Sequence, residues 1–300
     1  MGLKKTLTKK MKHVDLHKNI GLLLCYLFLI GFVIYTLTPV IWLGSLSIKP
    51  ISEFFQTSKS FIPLNPTLEH YYNLFFKSDF LRWMLNSLIV AGGSAALTIV
   101  VASMAGYAFA FYKFRGKETL FMIALSSVMV PAYVLIIPWF LMFRTLGLIN
   151  TYLALILPWG ASMFSLFFMR VYIRSSVHPE ILEAARVDGA SERSVFFRIV
   201  MPIIVPGIAT LAIVVFTMAF NDYFWPMIAM RSPDMYTLPV GMAQWPISAG
   251  GGSMGPTGAA AIRWGLAVTG PLVSIIPMLI LFILFRDKFT KGLTLGAPKG

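Results

Sequence analysis

Six long stretches of the chain carry no charged residue, and charged or glycine- and proline-rich segments separate them. They run over residues 19–48, 83–112, 119–143, 151–169, 199–221 and 264–285. At about 1.5 Å per residue, each is long enough to cross the roughly 30 Å hydrocarbon core of a bilayer as a helix. The pattern predicts an all-α, polytopic membrane protein with six transmembrane helices. Pro131 and Pro138 fall inside the third run and should bend or break its helix, and Pro158 lies near the middle of the fourth. Ala102, Gly106 and Ala110 recur at four-residue spacing in the second run and form a face thin enough for close approach by another helix.

Composition gives the same class: 57% of the 300 residues are hydrophobic and 12% charged, too apolar for a soluble globule. The chain opens with six lysines in residues 1–18, followed by the 30-residue uncharged run. That run exceeds the roughly 7 to 15 apolar residues of a secretory signal, so it reads as a retained first span. Six spans put both termini on one side, and the segments on that side hold 18 of the Lys and Arg residues against 7 opposite. Positive-inside bias places the termini and the loop over 170–202 in the cytoplasm. The layout is then a basic cytoplasmic head (1–18), a membrane domain (19–285) with outer loops 49–82 and 222–263 and a cytoplasmic loop 170–202, and a cytoplasmic tail (286–300). The net charge of +13 needs no nucleic-acid partner to explain it. In the first outer loop, Tyr71, Tyr72, Phe75, Phe76 and Phe80, with Trp83 beyond, suit a membrane-interface segment. Cys25, the lone cysteine, lies in an apolar run, excludes an intrachain disulfide and reads as a buried, inert thiol.

The charged island over 170–198 carries the most specific signal. Pro179 can open a helix without losing a backbone bond, and Glu180 and Glu183 lie near its positive end. Gly189 can close that helix in the left-handed conformation. Ser191 then caps a second helix, with Glu192 in its first turn and Val195, Phe196 and Ile199 on one face. The product is a helix-turn-helix elbow outside the membrane. Ala184 and Ala185 leave the first helix thin enough for a partner's backbone, and Arg186, Asp188 and Glu192 supply polar grips at the rim.

Chemistry is notable for what is missing. The interiors of the six runs hold no Asp, Glu, Lys, Arg or His, which disfavours a proton- or ion-coupled carrier. No phosphate-cradling G-x-x-x-x-G-K-[ST] loop occurs, so an energy source must sit on another chain. His13, His17, His70 and His178 are scattered without metal-site spacing, and no G-x-S-x-G elbow is present, so neither catalytic nor metal-ligating residues are expected.

The order Glu183-Ala184-Ala185, three residues, Gly189, nine residues, Ile199, then Pro202 resembles the EAA loop of membrane subunits of ATP-binding-cassette (ABC) importers. Met201 departs from the usual Leu by an apolar swap of similar volume. NPTLEHYYNLF, NSLIV, AGYAFAFYKFRGK, the stretch over 129–158, FNDYFWPMIAM, YTLPVGMAQ and GLTLGAPKG extend the likeness to the carbohydrate branch, and to its maltose-type second permease subunit. The resemblance implies a type I ABC importer permease fold and a heterodimer with a homologous permease. It further implies two ATP-binding-cassette ATPase subunits, which hold the ATP and Mg that this chain does not bind, an extracytoplasmic solute-binding protein, a sugar substrate and surrounding membrane lipid. Carried over by residue, Glu183, Ala184, Ala185, Asp188, Gly189 and Ser191 would couple to the ATPase. Gly296 to Gly300 would reach the ATPase as well, and Asp234 to Gly258 would meet the binding protein, with GGGSMGPTG as a local enlargement. Asn221, Asp222, Tyr223 and Trp225 combine hydrogen-bonding groups with aromatic faces and mark a substrate pathway, a pattern that an interfacial aromatic anchor would also produce. A facilitative or secondary transporter, or a non-transporting membrane anchor for a cytoplasmic complex, remains the alternative reading.

Overall fold

The computed structural model describes residues 2–54, 61–248 and 259–294, with side chains described over 19–53, 61–244 and 264–286. All regular structure among them is helical. Three helices are individually long and apolar enough to cross a membrane, and three bent helix pairs bring the possible spans to six. By internal contacts the chain divides into one unit of residues 1–72 with 254–272 and another of 73–253 with 273–300.

In the first unit, α1 (Gly2–Ser47) contains the candidate span Asn19–Ser47, whose large side chains from Ile20 to Ile41 are exposed, the surface a lipid-facing helix presents. Cys25 lies on this stretch and is exposed, not buried as its apolar run suggested. After α2 (Ile51–Phe54) the chain folds back on the end of α1. Thr67 N–H donates to the Ile48 carbonyl at 2.7 Å, and the Ser47 and Tyr71 hydroxyls lie 2.8 Å apart. The Glu53 carboxylate accepts the backbone N–H groups of Leu64 and Asn65 at 3.2 and 2.9 Å. These bonds account for backbone groups that would otherwise be orphaned in a proline-punctuated loop.

In the second unit, α4 (Phe80–Phe111), which follows the short α3 (Glu69–Phe76), is the central helix. It packs along α7 (Tyr152–Gly160), α8 (Met163–Ser176) and α11 (Val205–Phe220). At Gly106 α4 and α8 approach closely: a Cβ there would stand 2.9 Å from both the backbone nitrogen of Arg170 and the Cβ of Met169. The small-residue face read from the sequence is thus the α4–α8 contact.

The third run breaks as its prolines predict, and the fourth, whose Pro158 lies inside a helix, breaks as well. The third divides into α5 (Lys117–Ser126) and α6 (Ile136–Thr145), linked by single 3₁₀ turns and bent by 93°. The fourth divides into α7 and α8, bent by 44°, with Ser162 capping the second piece through the Ser165 N–H.

Three boundaries differ from the sequence reading. α8 continues to Ser176, so the first part of the island over 170–198 is helix rather than loop. Arg170 does not end the helix because its charge is satisfied in place: Nη2 donates to both Glu118 oxygens, at 2.8 and 2.9 Å, and the guanidinium sits 3.8 Å from the Phe121 ring centre. The fifth run is divided between two helices, one ending at Ile203 and the next beginning at Val205. Pro206 cannot donate the N–H that would carry the preceding helix onward, and the chain bends by 74° at Ile204. The described part of the loop over 222–263 is largely helical, holding α12 (Phe224–Ala229), α13 (Leu238–Ser248) and the start of α14 (Ala259–Thr294).

Among the described residues of the second unit, two buried apolar clusters stand out. One joins Ala102 and Tyr107 of α4 with Met169 and Ile173 of α8, and with Leu182, Val195, Phe196 and Val200 beyond. The other surrounds Trp225 with Val90, Phe143, Leu155 and Ala229. The first lies under the elbow and the second at the far end of the fifth span.

Candidate functional site

The elbow forms as its residue types dictate. α9 (Pro179–Val187) starts with Pro179 in its first turn and Glu180 at its positive end. It closes through three backbone bonds, from Asp188 N–H to the Ala184 carbonyl, Gly189 N–H to Arg186 and Ala190 N–H to Ala185, at 3.0 to 3.1 Å. Gly189 stands at φ +80°, the left-handed region in which a side chain costs roughly 1–2 kcal/mol. The Ser191 side chain accepts from Ser194 N–H and opens α10 (Glu192–Ile203), which includes a π-helical stretch over Val195–Val200.

The elbow has two different faces. Leu182, Val195, Phe196 and Val200 are buried in the cluster beneath, and Ala185 packs against it. Glu183, Ala184, Asp188, Gly189 and Ser191 are exposed, and so is Val187 at 87%. The sequence-assigned coupling residues therefore come together on one outward surface, apart from the half-buried Ala185 at its base.

Two of the expected rim grips are committed elsewhere. Arg186 Nε donates to Glu192 Oε1 at 2.8 Å, closing a bridge across the turn. Glu192 Oε2 also accepts the Tyr112 hydroxyl at 2.7 Å, with the Tyr107 hydroxyl at 3.5 Å. The guanidinium of Arg186, then the Tyr112 hydroxyl, hold the Glu192 carboxyl below its ordinary range. Burial, then the neighbouring carboxylate, pushes the Tyr112 phenol up to about 12. Because the folded pKa of Glu192 is depressed, this arrangement contributes above the ordinary glutamate pKa and is lost only as pH falls below it, so it persists across the neutral range.

At the other end of α11, the four residues marked for a substrate pathway separate. The Asn221 amide donates to the Thr217 carbonyl of its own helix at 2.8 Å and is exposed. Burial, opposed by the N–H groups of Trp225, Phe224 and Tyr223, pushes the Asp222 carboxyl up to about 6. Tyr223 is half-buried beside the exposed ring of Phe224, which also meets Tyr133 at 5.0 Å. Trp225 is a core residue: 4% exposed, packed on Trp139 and Phe143, with its indole N–H donated to the Ala154 carbonyl at 2.9 Å. Neither its ring nor its N–H is open to a sugar, which corrects its place in the pathway.

The segment after α12 is clamped by two asparagines that the sequence reading did not single out. Asn86 Nδ2 donates to the Asp234 and Tyr236 carbonyls at 2.9 and 2.8 Å, while its Oδ1 accepts from Tyr152. Asn150, at φ +65°, accepts the Arg231 and Ser232 backbone N–H groups at 2.9 and 3.2 Å. Among the described residues no cluster of His, Cys, Asp and Glu suits a metal ion.

The family described as binding-protein-dependent transport system inner membrane component matches residues 98–294, two-thirds of the sequence and all of the elbow. The chain belongs to that family. The permease is 33% identical, over 93% of its length and 98% of the relative's, to the arabinooligosaccharides transport system permease protein AraQ of Halalkalibacterium halodurans. It is 30% identical, over 96% of its length and 99% of the relative's, to the galactooligosaccharides transport system permease protein GanQ of Bacillus subtilis. In fold, the permease matches the crystal structure of a bacterial ABC transporter involved in the import of the acidic polysaccharide alginate. The TM-score is 0.77 at 23% identity, covering 90% of this chain and 97% of that one. Its fold is the type I ABC importer permease fold, all-α and polytopic. It is an inner membrane component and a transport subunit rather than a hydrolase. The expected contacts of Gly296 to Gly300 and of the glycine-rich 250–258 segment lie outside the described residues.

Proposed function

We propose that this permease forms half of the translocation path of an ATP-driven oligosaccharide importer, with ATP hydrolysis on partner subunits that dock on the elbow. The observation that carries the reading is near full-length likeness, at 30% identity or more, to permeases of arabino- and galacto-oligosaccharide transport systems. A homologous second permease, two ATPase subunits that hold ATP and Mg, and an extracytoplasmic solute-binding protein complete the machine. The Lys and Arg distribution sets both termini and the elbow in the cytoplasm.

The two-faced elbow supports this division of labour. Its outward surface offers Glu183, Ala184 and Val187 to a partner, while Leu182 and Phe196 root it among α4 and α8. A push on the outer face is delivered to a close-packed core, which passes displacement on rather than absorbing it. The bend at Ile204, between Pro202 and Pro206, is where α10 can swing against α11. At the opposite end, Asn221, Asp222 and Tyr223, with Phe224, remain the groups for a sugar to meet.

The test is reconstitution in liposomes with the cognate permease, ATPase and binding protein, measuring uptake of labelled arabino- or galacto-oligosaccharide. Uptake that requires both ATP and the binding protein is the expected result. Equal uptake without ATP would establish a facilitative carrier instead.

A further inference from the structure

The elbow is joined covalently to α8 and, through α10, to α11, but α4 reaches it only through side chains. Those side chains converge at one place, the C-terminal end of α4. The Tyr107 ring lies 5.4 Å from the Phe196 ring of α10, and Tyr112 packs edge-on against Tyr107 at 5.5 Å. The hydroxyl of Tyr112 reaches Glu192 Oε2 at 2.7 Å across 80 residues of sequence, and Arg186 of α9 grips the same carboxylate. The backbone of Tyr112 is fixed from the other side, since Lys117 Nζ donates to the Tyr112 carbonyl at 3.1 Å.

We propose that Tyr112 is a positioning residue that latches the inner end of α4 to Glu192 of the elbow, so that elbow movement is handed to α4. The inference rests on reading the elbow as the docking surface. Apolar packing of Tyr107 on Phe196 is non-directional and allows rings to slide. The bond from the Tyr112 hydroxyl to an ionised carboxylate is directional and among the stronger hydrogen bonds, and it fixes register along the contact. Glu192 is well suited to the task because it sits in the first turn of α10, at that segment's positive end, with both carboxylate oxygens in use. Tyr112, Glu192 and Arg186 thus form a three-part fastening between α4, α10 and α9, the three segments that must move together.

The test uses the full complex in proteoliposomes and reads ATP hydrolysed per oligosaccharide imported, alongside the melting temperature of the purified assembly. Tyr112→Phe removes only the hydroxyl and Glu192→Gln only the charge. Each is expected to raise the ATP-per-sugar ratio at least threefold with the assembly intact, and the double variant should be no worse than the poorer single variant. An unchanged ratio in both single variants, or fully additive losses in the double, would overturn the latch. Gly189→Val serves as the reference. If it uncouples while Tyr112→Phe does not, the latch is wrong and the docking reading stands. If Gly189→Val leaves coupling normal, the docking reading fails and the latch falls with it.

Discussion

Replacing Gly189 by valine is expected to leave the permease inserted and assembled while reducing coupled uptake by more than tenfold. The reason is conformational rather than steric. A Cβ at Gly189 would meet nothing within 4 Å, so no packing is lost, but the backbone stands at φ +80°. Holding an ordinary side chain there costs roughly 1–2 kcal/mol, and a β-branched one more, because its two γ-substituents crowd the adjoining carbonyl. The chain escapes that strain by rotating out of the left-handed region. Rotation would loosen the three bonds that end α9 and turn the Glu183–Ala184 surface away from its present aim. Asparagine, which tolerates this conformation, should be milder than alanine, and alanine milder than valine. Uptake and ATP turnover measured together across the three variants check the order. An inverted order would show that side-chain bulk, not backbone conformation, matters at this position.

Gly106→Leu is expected to prevent assembly of the permease outright. Here the limit is steric, and the atoms in the way are mostly backbone: the Arg170 nitrogen at 2.9 Å and the Met169 carbonyl carbon at 3.0 Å from the position of a Cβ. Backbone cannot swing aside as a side-chain tip can, so α4 and α8 would have to part. Overpacking a filled core costs about 1–3 kcal/mol even when neighbours adjust, and separation of these helices would also disturb the Arg170–Glu118 bridge beside them. Gly92, on the same helix, has nothing within 4 Å of the corresponding position. Gly92→Ala should therefore be neutral or slightly stabilising, by about 0.4–1 kcal/mol, through the reduced freedom of the unfolded chain. Melting temperatures of the purified variants in detergent give the comparison. A Gly106→Leu protein as stable as Gly92→Ala would refute the close approach.

The parts of this architecture that follow from local rules were legible in advance. Uncharged length marked the spans, proline marked the break in the third, and the Gly189 turn with its Ser191 cap followed from residue types that favour few other conformations. The small-residue face of α4 was equally plain. What escaped the sequence depends on partners far along the chain. Arg170 and Glu192 look like solvent-seeking charges until Glu118, Phe121, Tyr112 and Arg186 are brought beside them. Trp225 resembled a sugar platform because an aromatic ring next to polar residues suits either role, and only packing on Trp139 and Phe143 decides for the core. Asn150 and Asn86 carry no local signature, since their bonds run to backbone some 80 and 150 residues away.

The account stands on force entering through the outward face of α9 from a nucleotide-hydrolysing partner. Cross-linking from that face tests it most directly. In a Cys25→Ser background, which removes the exposed native thiol, Ala184→Cys places a single thiol on the exposed surface of the elbow. With a short maleimide–benzophenone reagent, whose maleimide bonds to that thiol and whose benzophenone inserts on irradiation into a neighbouring C–H bond, the assembled transporter should yield one principal adduct, joining this permease to its ATPase subunit. Absence of that adduct, together with labelling of the same thiol in intact cells by a membrane-impermeant maleimide, would place the elbow outside the cell and contradict the account.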